Sequence, residues 1–214
     1  MQNRAALICS LTAGWFLPGC VTYTLPVKYE APGQAKAVSG SDPARVALYL
    51  PPVVDRRTSG MRSLNVCMQG GALTFQTDRP PAEIVHDALE SELSLLGIGV
   101  ASISGGAQGT LRAQIKQFET CQSDDSFTVD AHVELFGLER ESLWAGELQS
   151  RALYRSGSST SADFERNLTA GFSRALTEAI QKLNHPGFMR AVKSLGGELP
   201  PLPSDGASPP PPIY

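Results

Sequence analysis

The chain has 214 residues and a mass of 22.8 kDa, and 42% of its residues are hydrophobic and 18% charged. These proportions are ordinary for a globular domain and exclude a chain that is disordered throughout. A net charge of -3 argues against nucleic-acid binding, which requires a basic surface. Seven of the 16 prolines lie in residues 200–214. The composition therefore predicts one folded domain with unusual ends.

Residues 1–19 have the pattern of a secretory signal peptide. Arg4 supplies one positive charge, and the stretch 5–17 that follows it is mainly apolar. At a rise of about 1.5 Å per residue, that stretch is shorter than the ~30 Å hydrocarbon core of a bilayer. We therefore expect a cleaved signal in place of a membrane-spanning helix.

The signal ends in Leu17-Pro18-Gly19-Cys20, which resembles the lipobox of bacterial lipoproteins. In such proteins the signal is cut before the cysteine, and both its thiol and the new amine are acylated. The resemblance implies that Cys20 is the lipid attachment site, and several acyl chains would hold the protein stably on the membrane. Val21, which is not an aspartate, implies the outer membrane, facing the periplasm. A plain secretory signal with a chance cysteine is the alternative.

Residues 20–43 are predicted to form a flexible tether. Prolines and glycines lie here among small and polar residues, a composition that is poorly suited to burying a core. Fully extended, the tether would let the domain stand up to ~75 Å away from the membrane. The folded domain itself is expected over residues 44–195.

The first half of this domain is predicted to contain short strands around one helix. Alternating residues predict a strand at 46–50, followed by an irregular extended region with a turn at Gly70-Gly71. Apolar residues then recur at helical spacing from Ile84 to Leu96, which predicts a helix with Asp78 as its N-cap and Pro80-Pro81 in its first turn. Gly97 is expected to end it.

The second half shows three longer alternating segments, around residues 111–116, 127–135 and 144–154. One apolar and one polar face per strand indicate an antiparallel meander that is covered on one side. A long apolar stripe over residues 160–183 predicts the covering helix. The predicted fold class is α+β, a mainly antiparallel sheet with two amphipathic helices packed on one face and a short C-terminal helix at 187–195.

The cysteines predict one disulfide. Cys9 is removed with the signal and Cys20 carries lipid, which leaves Cys67 and Cys121. An oxidising periplasm permits these two to pair, and the loop-entropy model rates such a bridge at on the order of 4 kcal/mol. Two separate buried thiols are the alternative. The three histidines have no ligand spacing, so we predict neither a metal nor a cofactor.

The order of elements resembles that of the YajG-like bacterial lipoproteins over about residues 44–195. The most specific match in this resemblance is Asp55-Arg56-Arg57, which is similar to an Asp-x-Arg motif after the first strand of that family. Leu25-Pro26-Val27 looks like a motif of the auxiliary lipoproteins of ABC-type lipid transporters, which share this architecture. The resemblance implies the fold and an envelope location. It implies no activity, because none is agreed for YajG-like proteins.

Catalytic residues are not predicted. The serines between 156 and 161 lack a nucleophile elbow, and a solvated strand face explains why His132 lies beside Asp130 and Glu134. Asp55 and Arg57 could contact a partner, although a structural ion pair at a strand end is the preferred interpretation.

The last segment, residues 196–214, is predicted to be a disordered Pro-rich tail with polyproline II character, and a partner-docking segment is its alternative. The predicted function is a non-enzymatic binding or scaffold module that a lipid holds on the membrane and that contacts an envelope protein. The alternative is an auxiliary lipoprotein subunit of an ABC-type lipid or envelope transporter, which would need an apolar groove between sheet and helix. A hydrolase would need a pocket at His132 or the serines.

Overall fold

The predicted α+β class is confirmed by a computed structural model, which describes residues 21–30, 46–57, 65–67, 73–121, 125–154 and 160–196. These residues form nine strands and three α-helices. In chain order the elements are β1 (Val21–Leu25), β2 (Ala47–Tyr49), β3 (Val54–Asp55), β4 (Asn65–Cys67), β5 (Leu73–Thr77), α1 (Pro81–Leu95), β6 (Gly99–Ala101), β7 (Gly109–Cys121), β8 (Ser126–Phe136), β9 (Ser142–Leu153), α2 (Ser161–Gln181) and α3 (Pro186–Ser194).

The main sheet has the order β6-β2-β7-β8-β9, and β7, β8 and β9 form the predicted antiparallel meander. The shorter pairings are parallel: β2 pairs with β6, while β2, β3 and β4 pair one after another along β7. The sheet is therefore mixed. Parallel neighbours need a long crossover, and here α1 supplies it between β2 and β6.

α2 covers one face of the meander. In β8 every second side chain, from Phe127 to Leu135, is buried on that face. Phe172 of α2 lies between Phe118 and Phe127, with ring centroids 4.4 Å and 4.8 Å away. Gly171 permits this close approach, because a Cβ atom there would lie 2.9 Å from Cβ of Tyr154. The interface is tightly filled with aromatic rings.

The helix ends follow ordinary capping chemistry. Thr160 caps α2, since its Oγ1 accepts a hydrogen bond from the backbone N–H of Asp163 at 3.1 Å. Gly97 follows α1 with a φ of 74°, a left-handed conformation that glycine adopts without strain. α3 is capped by His185, whose Nδ1 accepts from the N–H of Gly187 at 3.0 Å.

The first part of the predicted tether is built into the fold, so the tether prediction is wrong for residues 21–30. β1 pairs in parallel with β5, and Leu25 and Val27 are fully buried in the core. The proline- and glycine-rich composition of residues 20–43 as a whole did not indicate the five-residue strand at its start, which ends before Pro26. The rest of the tether, Cys20, the signal peptide and the Pro-rich tail lie outside the described residues.

Residues 21–30, here called the N-terminal strap, are fixed to both long helices. The ring of Tyr23 stacks on Phe75 at 5.7 Å and meets Phe164 of α2 edge-on at 5.5 Å. The backbone N–H groups of Lys28 and Glu30 donate to hydroxyls of α2, those of Ser173 at 3.2 Å and Thr177 at 3.0 Å. The strap is thus a packed layer over α2.

Among the described residues, none of the helices combines the length and apolar character needed to cross a membrane.

Candidate functional site

Asp55 and Arg57 form a closed ion pair at the edge of the main sheet. The Arg57 guanidinium donates to both carboxylate oxygens of Asp55, from Nε at 2.9 Å and from Nη2 at 2.6 Å. Arg57 also donates from Nη1 to the carbonyl of Phe118 at 3.3 Å, and its Cζ lies 5.6 Å from the centre of that ring. Its side chain is 0% exposed and that of Asp55 is 23% exposed.

This geometry favours the structural interpretation of the Asp-x-Arg motif. β3 is only two residues long, and the pair holds the end of this strand against β7, where Asp55 lies opposite Ile115. Burial acts to raise the pKa of Asp55, but hydrogen bonds and charge from Arg57 outweigh it and hold that pKa below its usual value. A guanidinium that is buried and bonded in this way is unavailable to a partner.

The two cysteines of the predicted disulfide lie on neighbouring strands. Cys121 is disulfide-bonded. The backbone of Cys67 lies directly opposite it, at the end of the parallel pairing between β4 and β7. Their backbone register therefore suits the predicted bridge, and the pairing of Cys67 with Cys121 stays a prediction.

The second face of the meander is left uncovered by the three helices and is lined by polar side chains; we call it the open face. At its centre the carboxylate of Glu147 accepts from Lys116 Nζ at 2.6 Å and contacts His132 Nδ1 at 2.9 Å. Lys116 lies at a β-bulge, where the register between β7 and β8 shifts. Bulges aim side chains and are common next to functional sites.

The charges of this cluster influence one another. Burial acts to raise the pKa of Glu147, but hydrogen bonds and charge from Lys116 and His132 lower it on balance. Burial and the negative charge of Glu147 raise the pKa of Asp130, whose Oδ1 is buried without a hydrogen-bond partner. His132 thus pairs with Glu147 across the strands, a contact that its sequence neighbours Asp130 and Glu134 did not reveal.

A buried carboxylate that the sequence analysis did not single out connects the N-terminal strap with α1. Glu92 is 5% exposed and accepts a hydrogen bond from the hydroxyl of Tyr29. Burial raises the pKa of Glu92, although the bond from Tyr29 acts to lower it, and burial together with Glu92 raises the pKa of Tyr29. The available signal was spacing, because Glu92 lies on the same helical stripe as Val85, Ala88 and Leu89.

Where the structure describes the interface between the sheet and α2, aromatic rings occupy the place in which an auxiliary transporter subunit was expected to have an apolar groove. Phe118, Phe127 and Phe172 are 0% exposed and fill it. An open depression of about 910 Å³ lies instead beside the edge strand β9, with a lining that includes Glu119, Arg151, Glu178 and Lys182. A second, of about 400 Å³, borders Trp144 and His185. His132 lines neither, and Ser156, Ser158 and Ser159 lie outside the described residues.

One group of metal-ligand side chains occurs on α1, although the sequence analysis predicted none. His86, Asp87 and Glu90 each bring one ligand atom within 4.8 Å of the others. Asp87 already accepts from Arg79 at 2.6 Å, and both carboxylates are exposed. An ordinary solvated helix face explains this group without an ion.

Comparisons with solved structures support the fold. The chain is similar to protein XCC0632 from Xanthomonas campestris, described under the family model DUF330, with a TM-score of 0.57 and 15% identity over 81% of this chain and 98% of that one. Hypothetical protein CT253 from Chlamydia trachomatis gives a TM-score of 0.44 and 11% identity, covering 65% of this chain and 95% of the other. A putative lipoprotein from Caulobacter crescentus gives a TM-score of 0.36 and 14% identity, covering 55% of this chain and 84% of that one.

Only the first of these likenesses is close enough to carry an argument, and at its low identity it shows a shared fold alone. It does not single out the YajG-like family. No family model and no curated protein matches the sequence.

We predict that Asp55→Asn strongly destabilises the protein. The substitution removes the carboxylate that pairs with the buried Arg57 guanidinium, and breaking a buried ion pair from one side costs about 3–5 kcal/mol in the free energy of unfolding. Because the pKa of Asp55 is lowered in the folded state, its stabilising contribution is present above the usual carboxyl pKa and is lost as the pH falls through the folded value. Denaturant unfolding over a range of pH measures both effects.

The matched control is Asp87→Asn, which removes an exposed carboxylate from its pair with Arg79 and should cost no more than about 1 kcal/mol. Equal losses in the two variants would contradict a structural role for Asp55.

We predict that Glu92→Gln changes how stability depends on pH. Because the pKa of Glu92 is raised above its usual 4.5, its contribution is most favourable below that value and is lost as the pH rises through the folded value. Glutamine still accepts a hydrogen bond from Tyr29 and carries no charge. The free energy of unfolding of Glu92→Gln, relative to that of the wild type, should therefore increase between acidic and neutral pH. Thermal unfolding in a pH series measures this difference in stability, and Glu90→Gln, at an exposed position, is the control. Parallel pH profiles of stability for the wild type and Glu92→Gln would refute the prediction.

Proposed function

We propose that this chain is a lipid-anchored lipoprotein of the bacterial envelope that acts as a non-enzymatic binding or scaffold module. The observation that carries the proposal is the lipobox-like Leu17-Pro18-Gly19-Cys20, which directly precedes a strand of the folded domain. Acylation of Cys20 would hold the domain on a membrane without a spanning helix. Val21 supports the outer membrane, with the domain in the periplasm.

The open face supports the binding part of the proposal. The strands β7, β8 and β9 are 13, 11 and 12 residues long and present a wide surface of charged side chains. Arg112 lies over the ring of Phe136 at 4.8 Å, and Lys116 and His132 are paired with Glu147. Groups that are paired in this way are held in place, so they can recognise a partner at a low entropic cost.

The alternative role, an auxiliary subunit of an ABC-type lipid or envelope transporter, has weaker support. In the described part of the interface between the sheet and α2, Phe118, Phe127 and Phe172 are fully buried and occupy the position where an acyl chain would have to bind. The transporter-like motif Leu25-Pro26-Val27 is also explained by the fold, since Leu25 and Val27 are core residues and Pro26 follows the last residue of β1. Co-purification with an ATPase or permease would favour this role.

We predict that the mature protein begins at Cys20 and carries acyl chains. Mass spectrometry of the membrane fraction should find residues 1–19 absent and Cys20 modified, and separation of inner and outer membranes should place the protein in the outer one. Cys20→Ser should abolish acylation and membrane retention. An unmodified Cys20 in the soluble periplasm would refute the anchor, and recovery in the inner membrane would refute the sorting.

We predict that the open face contacts an envelope protein. A photo-crosslinking amino acid at Gln149, on the exposed side of β9, should give a discrete adduct in intact cells. The same residue at Arg174, exposed on α2, is the matched control and should not give that adduct. Equal crosslinking from both positions, or none from Gln149, would contradict a binding role for this face.

A further inference from the structure

The start of the N-terminal strap lies at one defined end of the molecule. α2 runs antiparallel to β9, because Gly171 lies against Tyr154 just after β9 ends, while Glu178 accepts from Ser150 at 2.8 Å. The residues of α2 before Gly171 therefore extend about 15 Å beyond the end of the meander. Tyr23 of the strap contacts Phe164 in this extension, at 5.5 Å between ring centroids. The start of β1 and the start of α2 thus form one tip.

The opposite end is formed by the turn between β8 and β9. Leu138 in this turn is 75% exposed. β8 has 11 residues and begins at the end that carries the tip, so at about 3.4 Å per residue the turn lies more than about 35 Å from the tip.

Almost no chain separates Cys20 from this tip. Val21 is the first residue of β1, and consecutive Cα atoms lie about 3.8 Å apart. The strap cannot detach and act as a flexible linker without breaking core contacts, because Leu25 and Val27 are fully buried and Tyr29 donates to the buried Glu92. Acyl chains on Cys20 would therefore pull the tip itself to the membrane.

We infer that this tip, formed by the first residues of β1 and the first turn of α2, rests on the lipid bilayer, which makes it the membrane-contacting surface of the protein. The inference rests on the proposed acylation of Cys20. Thr22 and Thr24 are exposed on β1, and hydroxyl side chains suit the hydrogen-bonding headgroup layer.

The charges near the tip indicate that the anchor, and not electrostatic attraction, holds it there. The first turns of α2 contain Asp163, Glu165 and Arg166, and Arg166 is paired with Asp163 at 3.0 Å. These described charges at the start of α2 are mixed, unlike the basic patch that anionic lipids attract. Contact with the bilayer should therefore be the same on zwitterionic and on anionic vesicles.

Fluorescence quenching on the lipidated full-length mature protein tests the inference. One fluorophore is attached through Ala162→Cys at the tip, and in a second sample through Leu138→Cys at the far turn. Each protein is reconstituted into phosphatidylcholine vesicles, with and without phosphatidylglycerol, that contain headgroup-spin-labelled lipid. The control variant carries about twenty Gly and Ser residues between Cys20 and Val21, a linker that spans roughly 25 Å.

We expect at least several-fold stronger quenching from position 162 than from position 138 on both kinds of vesicle. The inserted linker should remove most of this difference while the protein still floats with the vesicles. Equal quenching at both positions without the linker, or an unchanged difference with it, would overturn the inference and leave the anchor standing. Failure of the acylated protein to float would overturn the proposed anchor, and this inference with it.

Discussion

The contact of Phe172 with Phe118 and Phe127 is the interaction on which the other layers depend. It joins α2 to both β7 and β8, so one side chain fixes the helix against the two central strands. The N-terminal strap then packs on α2 through Tyr23 and Phe164. Burial of these rings stabilises the interface between the sheet and α2, at about 25 cal/mol per Å² of apolar surface. The strap thus depends on the position of α2 as well as on its pairing with β5.

The connection between Tyr29 and Glu92 shows what this arrangement costs. A carboxylate buried on α1 loses its hydration, and one hydrogen bond from Tyr29 compensates for this only in part, as the raised pKa of Glu92 shows. A tether that merely joined a lipid to a domain would gain nothing from such a contact. The end of the strap is therefore held to α1 as well as to α2.

The sequence predicted those features that a repeating pattern carries. Strict alternation in β8 and the long stripe of α2 gave both elements, their buried faces and the α+β class. An alternating pattern does not depend on whether neighbouring strands are parallel or antiparallel, so the parallel pairings of β2, β3 and β4 with β7 were not predicted. β1 was missed because its buried residues are too few to show a period. The Asp55 and Arg57 pair was recognised from adjacency in sequence, whereas the pairing of His132 with Glu147 depends on a cross-strand register that spacing alone does not give.

The position of the proposed anchor would also determine how the open face is presented. Strands β7, β8 and β9 run from the end of the meander that faces the tip to the far turn, so their charged side chains extend along the whole length of the meander. With the tip on the membrane, Arg151 near the end of β9 would lie closer to the bilayer, and Arg112 near the start of β7 would lie toward the far turn. A partner that binds this face would therefore contact it from the side, along the direction away from the membrane. A flexible tether would leave that orientation undefined, whereas the packed strap would define it once Cys20 is anchored.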